Sequence, residues 1–544
     1  MIHRTSRAIA FCVACFAVVV GIAGRIDGLD HKLFWQDEAF SMLRITGHDE
    51  AQLYGSFDGR VRSARSFLAL DRLDAASTFS ATIASLREEP QRGPLFYLAA
   101  RVWAGAFGDG VYAMRVFPSL LGVACIGLAF GLGRRLAGDA LGGATLAALV
   151  AISPIELHFS QQVREYVLIA GAILASSWSL FGALDRPTIV RWTTYAIVAA
   201  AGLFTSPIFA AVLVAHAAVA LGSLRRVPAS ARSVSLGFGI AVAAALAAYA
   251  PWALPALAAS HAHAGDLAWL HGDYSPRSFA LKWAFNIGAV FFDAEFARPR
   301  FGVVLLPLFA LVALAAIAAL RRPTNPLPNA LALATTLCSA IPLVTLDVAT
   351  HAHFETVTRY QMATWIGIDM LVALALASWL RSARSVLRIG AVAAFAFVVV
   401  CGAFSAGFDR AYAVWWDDNE HLDERLVART IATGRAPALV LVSKDGAAAP
   451  YALVLAHYLP PDAAFLSYES VVPEIPAWGG DVYLFVPSTD AVADARGHFA
   501  LSGFGLRNVS PALGLSIPDL RSAHDARDAA ALGAQNALWI RVRD

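Results

Sequence analysis

The sequence predicts a polytopic α-helical membrane protein with a small α/β domain at its C-terminal end. Three observations carry this. Of the 544 residues, 58% are hydrophobic and only 15% are charged, whereas a soluble domain averages ~45–50% apolar and ~25% charged. Apolar stretches near ~20 residues, the length that crosses a bilayer as a helix, recur through residues 8–408. The pattern changes after about residue 409, where short apolar runs alternate with Pro, Gly and Asp. This composition excludes an ordinary soluble enzyme. It also excludes disorder, because the chain is apolar and its formal net charge is only +2. The near-neutral balance argues against nucleic acid as a partner, since phosphates would call for a basic excess.

Taken in order, spans are expected at 8–26, 112–133, 139–153, 166–184, 192–205, 207–224, 234–253, 302–320, 329–347, 360–380 and 389–408. That makes about eleven on the hydropathy reading. Arg4 and Arg7 before a run ending in small residues would also suit a cleaved signal peptide. An uncleaved span is preferred, because the residues that follow look functional. Cys12, Cys15, Cys125, Cys338 and Cys401 all lie in apolar runs, so no disulfide framework is expected. Cys12 and Cys15 form a C-x-x-C that reads as packing rather than a redox or zinc site.

Charge sets the expected orientation. Arg4 and Arg7, Arg134 and Arg135, Arg186 and Arg191, Arg225, Arg226 and Arg232, Arg321 and Arg322, and Arg381, Arg384 and Arg388 fall on one side. By the positive-inside rule that side is cytoplasmic. The N-terminus is then cytoplasmic, and loops 27–111, 154–165, 254–301 and 348–359, with the tail, lie outside the inner membrane. Loop 27–111 carries Arg60, Arg62, Arg65, Arg72, Arg87 and Arg92, but long loops escape the rule. Within it, residues 77–89 place Phe79, Ile83 and Leu86 on one helical face, with Thr78 as cap. Residues 94–107 are apolar but short, which suits a surface or re-entrant helix. Beyond the 1–408 bundle, Trp415 and Trp416 suit the interface. A helix then puts Leu422, Leu426, Val427 and Ile431 on one face. The runs 438–443, 451–458, 482–487 and 537–542 read as strands or short helices of an outer domain, 409–544. It carries no glycine-rich phosphate loop and no metal-ligand spacing, and the chain shows no internal repeat.

Three groups of residues are candidates for chemistry. Trp35-Gln36-Asp37-Glu38 follows the first span. Adjacent carboxylates beside a bilayer are costly unless used or solvated; one can act as base while its neighbour holds a metal or a sugar hydroxyl. The plain alternative is a solvated loop start. Ser153–Tyr166 is short, polar and aromatic, and Arg164 could clamp an anionic group with Glu156 or Glu165 as its pair. The alternative is a loop anchored by an interfacial tyrosine and a surface ion pair. Arg359-Tyr360 opens a late span, where Arg359 either snorkels or binds phosphate. His351, His353 and Glu355 before it could bind a metal but read as ordinary loop residues, as do His261, His263 and His271.

These residues carry a resemblance. Trp35-Gln36-Asp37-Glu38-Ala39 resembles the acidic first-loop motif of membrane glycosyltransferases of the GT-C architecture. Gln91-Arg92-Gly93-Pro94-Leu95-Phe96-Tyr97, then Phe107-Gly108 and Arg115-Val116-Phe117-Pro118-Ser119, look like their HPPLYY…FG…RLPS stretch, with Arg92-Gly93 in place of His-Pro. Ser160-Gln161-Gln162-Val163-Arg164-Glu165-Tyr166 is similar to the SQ-x-x-R-x-Y loop of the bacterial branch, and Arg359-Tyr360 to a late RY. The resemblance covers about residues 8–400, in matching order. It points to enzymes of the protein mannosyltransferase type (glycosyltransferase family 39), the aminoarabinose transferase type and the lipopolysaccharide-core type.

The resemblance implies inverting transfer of a sugar from a polyprenyl-phosphate donor to a lipid, glycan or protein acceptor. The reaction would take place outside the cytoplasmic membrane. It makes Asp37 the base, and Glu38 a group that positions it or contacts sugar. Arg164 and Arg359 would stabilise the departing phosphate, with Glu156, Gln162, Tyr166 and Tyr360 as further substrate-binding residues. A divalent metal is compatible with the resemblance but not required by it. The competing reading is a transporter or flippase of a lipid-linked substrate, which needs polar sites at mid-membrane depth such as Asp347 or Asp369. A sensor is a third reading, and the short inner loops carry no output domain.

Overall fold

The computed structural model describes residues 2–74, 77–89, 92–224, 231–259, 275–294, 299–321, 326–351, 353–354, 357–411, 424–444, 448–469, 471–475, 477–486, 489–501, 504–510 and 538–543. The chain folds as two compact units. One comprises Met1–Leu29, Glu89–Phe96 and Arg115–Ala411; the other comprises Asp30–Glu88, Tyr97–Met114 and Tyr412–Asp544. Gln91, Arg225, Arg226, His261, His263, His271, Arg322, Glu355, Trp415, Trp416 and Leu422 lie outside the described residues.

The first unit is a helical bundle, and every expected apolar segment is helical in it. Eight helices among the described residues are long and apolar enough to cross a membrane. A ninth is obtained if the bent pair Ala140–Ile152 and Pro154–Ser160 forms one span. The expected number of about eleven is thereby corrected. Ile189–Thr205 and Phe209–Leu224 have only 17 and 16 residues. At ~1.5 Å of rise per residue they measure about 24–26 Å, against a hydrocarbon core ~30 Å thick.

Ion pairs gather several of the expected same-side arginines at one end of this bundle. Asp139 caps Ala140–Ile152 by accepting from the Gly142 N–H at 2.9 Å. It also meets Arg7 at 3.5 Å and Arg381 at 3.0 Å. Arg135 pairs with Asp185 at 2.9 Å. At the other end of the first helix, Ile2–Ile26, Arg410 donates to Asp27, and Arg115 donates to the Leu29 carbonyl at 2.8 Å.

The second unit is built on a six-stranded sheet of order β1-β3-β2-β4-β6-β5. The strands are β1 (Val61–Ser63), β2 (Leu439–Ser443), β3 (Ala464–Tyr468), β4 (Val482–Phe485), β5 (Phe504–Asn508) and β6 (Leu538–Arg543). β2 runs parallel to β3 and β4, and the other pairs are antiparallel. Leu439–Val442 are all buried, the pattern of a parallel strand covered on both faces. Leu439, Leu441, Leu466, Val482 and Leu484 form one core with Ala495 and Phe499 of the helix Thr489–Leu501. The edge strand β1 comes from the first loop: Val61, Arg62 and Ser63 face Leu466, Phe465 and Ala464. The run 451–458 lies mostly in the helix Ala448–Ala456, and β3 is a strand with no counterpart among the expected runs.

In the first loop, Phe79–Glu88 is helical and Thr78 Oγ1 accepts from the Ala81 N–H at 3.1 Å, the expected cap. The expected apolar face is corrected: Thr82, Ser85 and Leu86 are buried, whereas Phe79 is 53% exposed. Thr82 donates to the Ile45 carbonyl at 3.1 Å and Ser85 to that of His48. These bonds turn the hydroxyl face inward, and Phe79 lies under the Arg101 guanidinium at 5.0 Å.

Candidate active site

The acidic motif opens a helix of the second unit. Gln36–Thr46 is helical, with Asp37 and Glu38 in its first turn and Trp35 in the extended N-cap conformation. The N–H groups of Glu38 and Ala39 both donate to the Trp35 carbonyl at 3.0 Å. Two carboxylates here are favoured by the positive end of the helix dipole. Their exposure differs: Asp37 is half-buried, whereas Glu38 is fully buried. A solvated loop start is therefore not what this segment forms.

In the first unit, Pro154 explains the shape of the second motif. Proline lacks the N–H that would bond to the Val150 carbonyl four residues earlier. The helix stops at Ile152, and Pro154–Ser160 continues at 63° to it. Arg25 supplies the missing donors. Its Nη2 reaches the Val150 carbonyl at 2.9 Å and its Nη1 reaches the carbonyls of Ala151 at 2.6 Å and Gly21 at 3.0 Å.

Every residue from 153 to 167 is buried. The alternative of a loop anchored by a surface ion pair and an interfacial tyrosine is therefore not what this segment forms. Several of the polar side chains meet one another inside the bundle instead. Gln162 Nε2 lies 3.0 Å from His158 Nε2. Arg164 donates to the Tyr166 hydroxyl at 2.7 Å, its guanidinium lies 5.3 Å from the Tyr166 ring, and Glu165 lies 3.9 Å from its Nε. Glu156 interacts electrostatically with Arg25, so Glu165 is the carboxylate beside Arg164.

Arg359 and Tyr360 sit in a single 3-10 turn, Thr358–Gln361, which runs into the helix Met362–Leu380. Both are half-buried, with the Arg359 guanidinium 5.9 Å from the Tyr360 ring. Phe159 stacks on Trp365 at 6.1 Å and ties the 153–166 segment to this helix. Two residues here stand out. Gln361 is fully buried, and neither its Oε1 nor its Nε2 has a hydrogen-bond partner among the described residues. Asp369 is fully buried with both oxygens in the same condition, and it interacts electrostatically with Glu156. Gln361 carried no signal apart from following Arg359-Tyr360. Arg25 could have been found as a charge closing an apolar span, where charge is costly.

Asp347 is the anchor of a helix end: it accepts from Trp283 Nε1 at 3.3 Å and from the Phe354 N–H at 2.7 Å. Among the described residues no group of three or more His, Cys, Asp or Glu could hold a metal. Thus Glu156, Gln162, Arg164, Tyr166, Arg359 and Tyr360 belong to the first unit, and Asp37 and Glu38 to the second.

No protein-family model and no curated protein matches the chain. Among solved structures it is similar to ArnT from Cupriavidus metallidurans bound to undecaprenyl phosphate, at 15% identity over 82% of this chain and 85% of that one, with a TM-score of 0.48. It is also similar to the archaeal oligosaccharyltransferase AglB from Archaeoglobus fulgidus in complex with an inhibitory peptide and a dolichol-phosphate. There the identity is 13% over 83% of this chain, the match spans 64% of AglB, and the TM-score is 0.46.

Proposed function

We propose that this protein is an inverting membrane glycosyltransferase that moves a sugar from a polyprenyl-phosphate donor to an acceptor outside the cytoplasmic membrane. The observation that carries the reading is Asp37, a half-buried carboxylate in the first turn of a helix that begins soon after the first span. In the proposed reaction an acceptor hydroxyl attacks the anomeric carbon. Its proton passes to the Asp37 carboxylate, and the bond from sugar to phosphate breaks, its electron pair leaving on the phosphate oxygen. That leaving group is a stable anion, so cations suffice to help it depart. Arg359, half-buried, is assigned to the phosphate together with Tyr360. Arg164 and Tyr166, already joined, are assigned with Gln162 and Glu156 to the wall of the donor site. Glu38, fully buried, supports Asp37 rather than touching sugar.

The test compares surface glycolipids, glycans and glycoproteins by mass spectrometry. The strains are a deletion strain and the same strain complemented by wild type or by Asp37→Asn at matched expression. Loss of one sugar in both the deletion and the variant is expected, since a positioned base contributes roughly 10²–10⁴ in rate. Normal glycans with a well-folded Asp37→Asn protein would remove Asp37 as the base. The buried carboxylate of Asp369, within a span and without a hydrogen-bond partner among the described residues, favours the second reading, a flippase. That reading predicts movement of a labelled lipid across liposomes without chemical change.

A further inference from the structure

The residue that leads into the acidic motif is held from the far end of the chain. Phe34 is buried, and its backbone N–H donates to the Tyr458 hydroxyl at 2.9 Å. Its ring meets the His457 imidazole edge-on, with centroids 4.9 Å apart. The imidazole is itself held: His457 Nε2 lies 2.9 Å from Asp71 Oδ2, and Asp71 is 1% exposed. All four residues belong to the second unit. His457 and Tyr458 directly follow the helix Ala448–Ala456, and Asp71 ends the short 3-10 turn Ala69–Asp71.

The consequence lies three residues downstream of Phe34. The Trp35 carbonyl accepts from both Glu38 and Ala39, so the position of residues 34 and 35 sets the first turn of the helix that carries Asp37. We propose that His457 and Tyr458 are positioning residues for Asp37: the tail fixes where that helix starts and how the chain enters it. The inference rests on the reading of Asp37 given above. A general base must sit within hydrogen-bond reach of the proton it takes, and a ~1 Å misplacement can cost ~10²-fold. Contacts that merely held the unit together would change stability and leave turnover per folded molecule alone.

The experiment removes one oxygen with Tyr458→Phe and, separately, the ring with His457→Gln, which keeps an N–H towards Asp71. Full-length protein in lipid nanodiscs is assayed with undecaprenyl phosphate carrying the sugar that the strain comparison identifies. In Tyr458→Phe, kcat is expected to fall about 10-fold with KM for the donor unchanged. The Phe34 amide should exchange its hydrogen about 5–10-fold faster, the loss of one hydrogen bond, while the thermal midpoint falls by no more than ~2–4 °C. His457→Gln should give the same split between kcat and KM. Unchanged kcat in both variants overturns the proposal, and so does a kcat that falls only in step with the thermal midpoint. If wild type transfers no sugar, the reading of Asp37 fails, and Phe34 exchange still tests the hold. Equal exchange in wild type and Tyr458→Phe then overturns it.

Discussion

Arg25 takes over the bonds that Pro154 removes, so its effect is large for a single side chain. Its replacement by Leu would strand the Val150 and Ala151 carbonyls and remove the charge that Glu156 interacts with. A loss of roughly 3–5 kcal/mol is expected, the range for removing one partner of a buried charged group. Arg25→Lys should not restore it, because a point charge cannot span two carbonyls as the guanidinium fork does. Denaturation midpoints in detergent test this, and equal midpoints for wild type and Arg25→Leu would refute it. In the second unit, burial pushes the Asp71 carboxyl up, while the bond and charge of His457 and the charges of Arg72 and His48 pull it down; burial wins. The folded value lies above the unfolded one, so the penalty is absent below the ordinary carboxylate range near ~3.9 and grows as pH rises through the shifted value. Wild type should therefore lose stability relative to Asp71→Asn as pH rises from about 4. Asp58 has the opposite sign: its bond to Arg62 lowers it to about 2, so its contribution is lost as pH falls through that value. Melting curves of Asp71→Asn and Asp58→Asn against wild type, from about pH 2 to well above about pH 4, separate the two slopes. The acidic pair and both arginine motifs were legible because they carry unusual residue types at fixed spacings. Gln361 was not, because its burial follows from the fold and not from its neighbours in sequence, and Arg25 showed only as a charge closing an apolar span, its carbonyl partners at Val150 and Ala151 lying far away in sequence.

Helix packing in the first unit turns on two close approaches to the end of Ala140–Ile152. A Cβ built on Gly21 would lie 2.2 Å from the Ala151 oxygen, and one on Gly402 would lie 2.4 Å from the Ile152 oxygen. Both obstacles are backbone, so neither can move aside, and small residues let the helices meet here. Gly402→Ala should cost about 1–3 kcal/mol, the range for overpacking. Gly390 and Gly407 of the same helix, Ser385–Arg410, have no atom of the described residues within 4 Å of the Cβ position. Alanine there should be neutral or stabilising by up to ~1 kcal/mol, from helix propensity alone. Thermal midpoints of the three variants in one detergent check this, and a uniform response would refute the packing argument. The helices themselves were legible in hydropathy, because crossing a bilayer demands a long apolar run whatever the tertiary contacts. The 153–166 segment was not. Its polar and aromatic residues look like a surface loop, and only Arg25 and the helix Met362–Leu380 reveal why they can be buried. The strand β3 was hidden for another reason: Ala464–Tyr468 is a five-residue run, and such short apolar runs do not separate strand from helix.

At the scale of the whole molecule, the first loop and the tail fold as one unit although more than three hundred residues separate β1 from β2. The loop strand β1 is completed by β3, and the loop is pinned at neighbouring points: the Ala64 N–H donates to the Ala463 carbonyl and the Gly59 N–H to Ser467 Oγ, each at 2.9 Å. Phe67 packs edge-on against Phe465 at 5.1 Å and against Phe57 at 4.9 Å. None of this follows from reading the loop alone, where Val61–Ser63 is too short to register as a strand. It carries a consequence for the tail as a whole. A three-residue strand has no independent stability, so a chain ended after Ala411 should leave residues 57–68 without a partner. Limited proteolysis of membranes is expected to cut the truncated protein within that stretch under conditions that leave full-length protein whole. Phe465→Ala, which opens the same contact with the tail present, should cost about 3–5 kcal/mol and move cleavage in the same direction to a smaller extent. On the proposed function, sugar transfer should fall with the exposure of the loop, because the helix bearing Asp37 is part of the same unit. A truncated protein whose first loop resists protease as well as the full chain does would show that the loop folds without the tail.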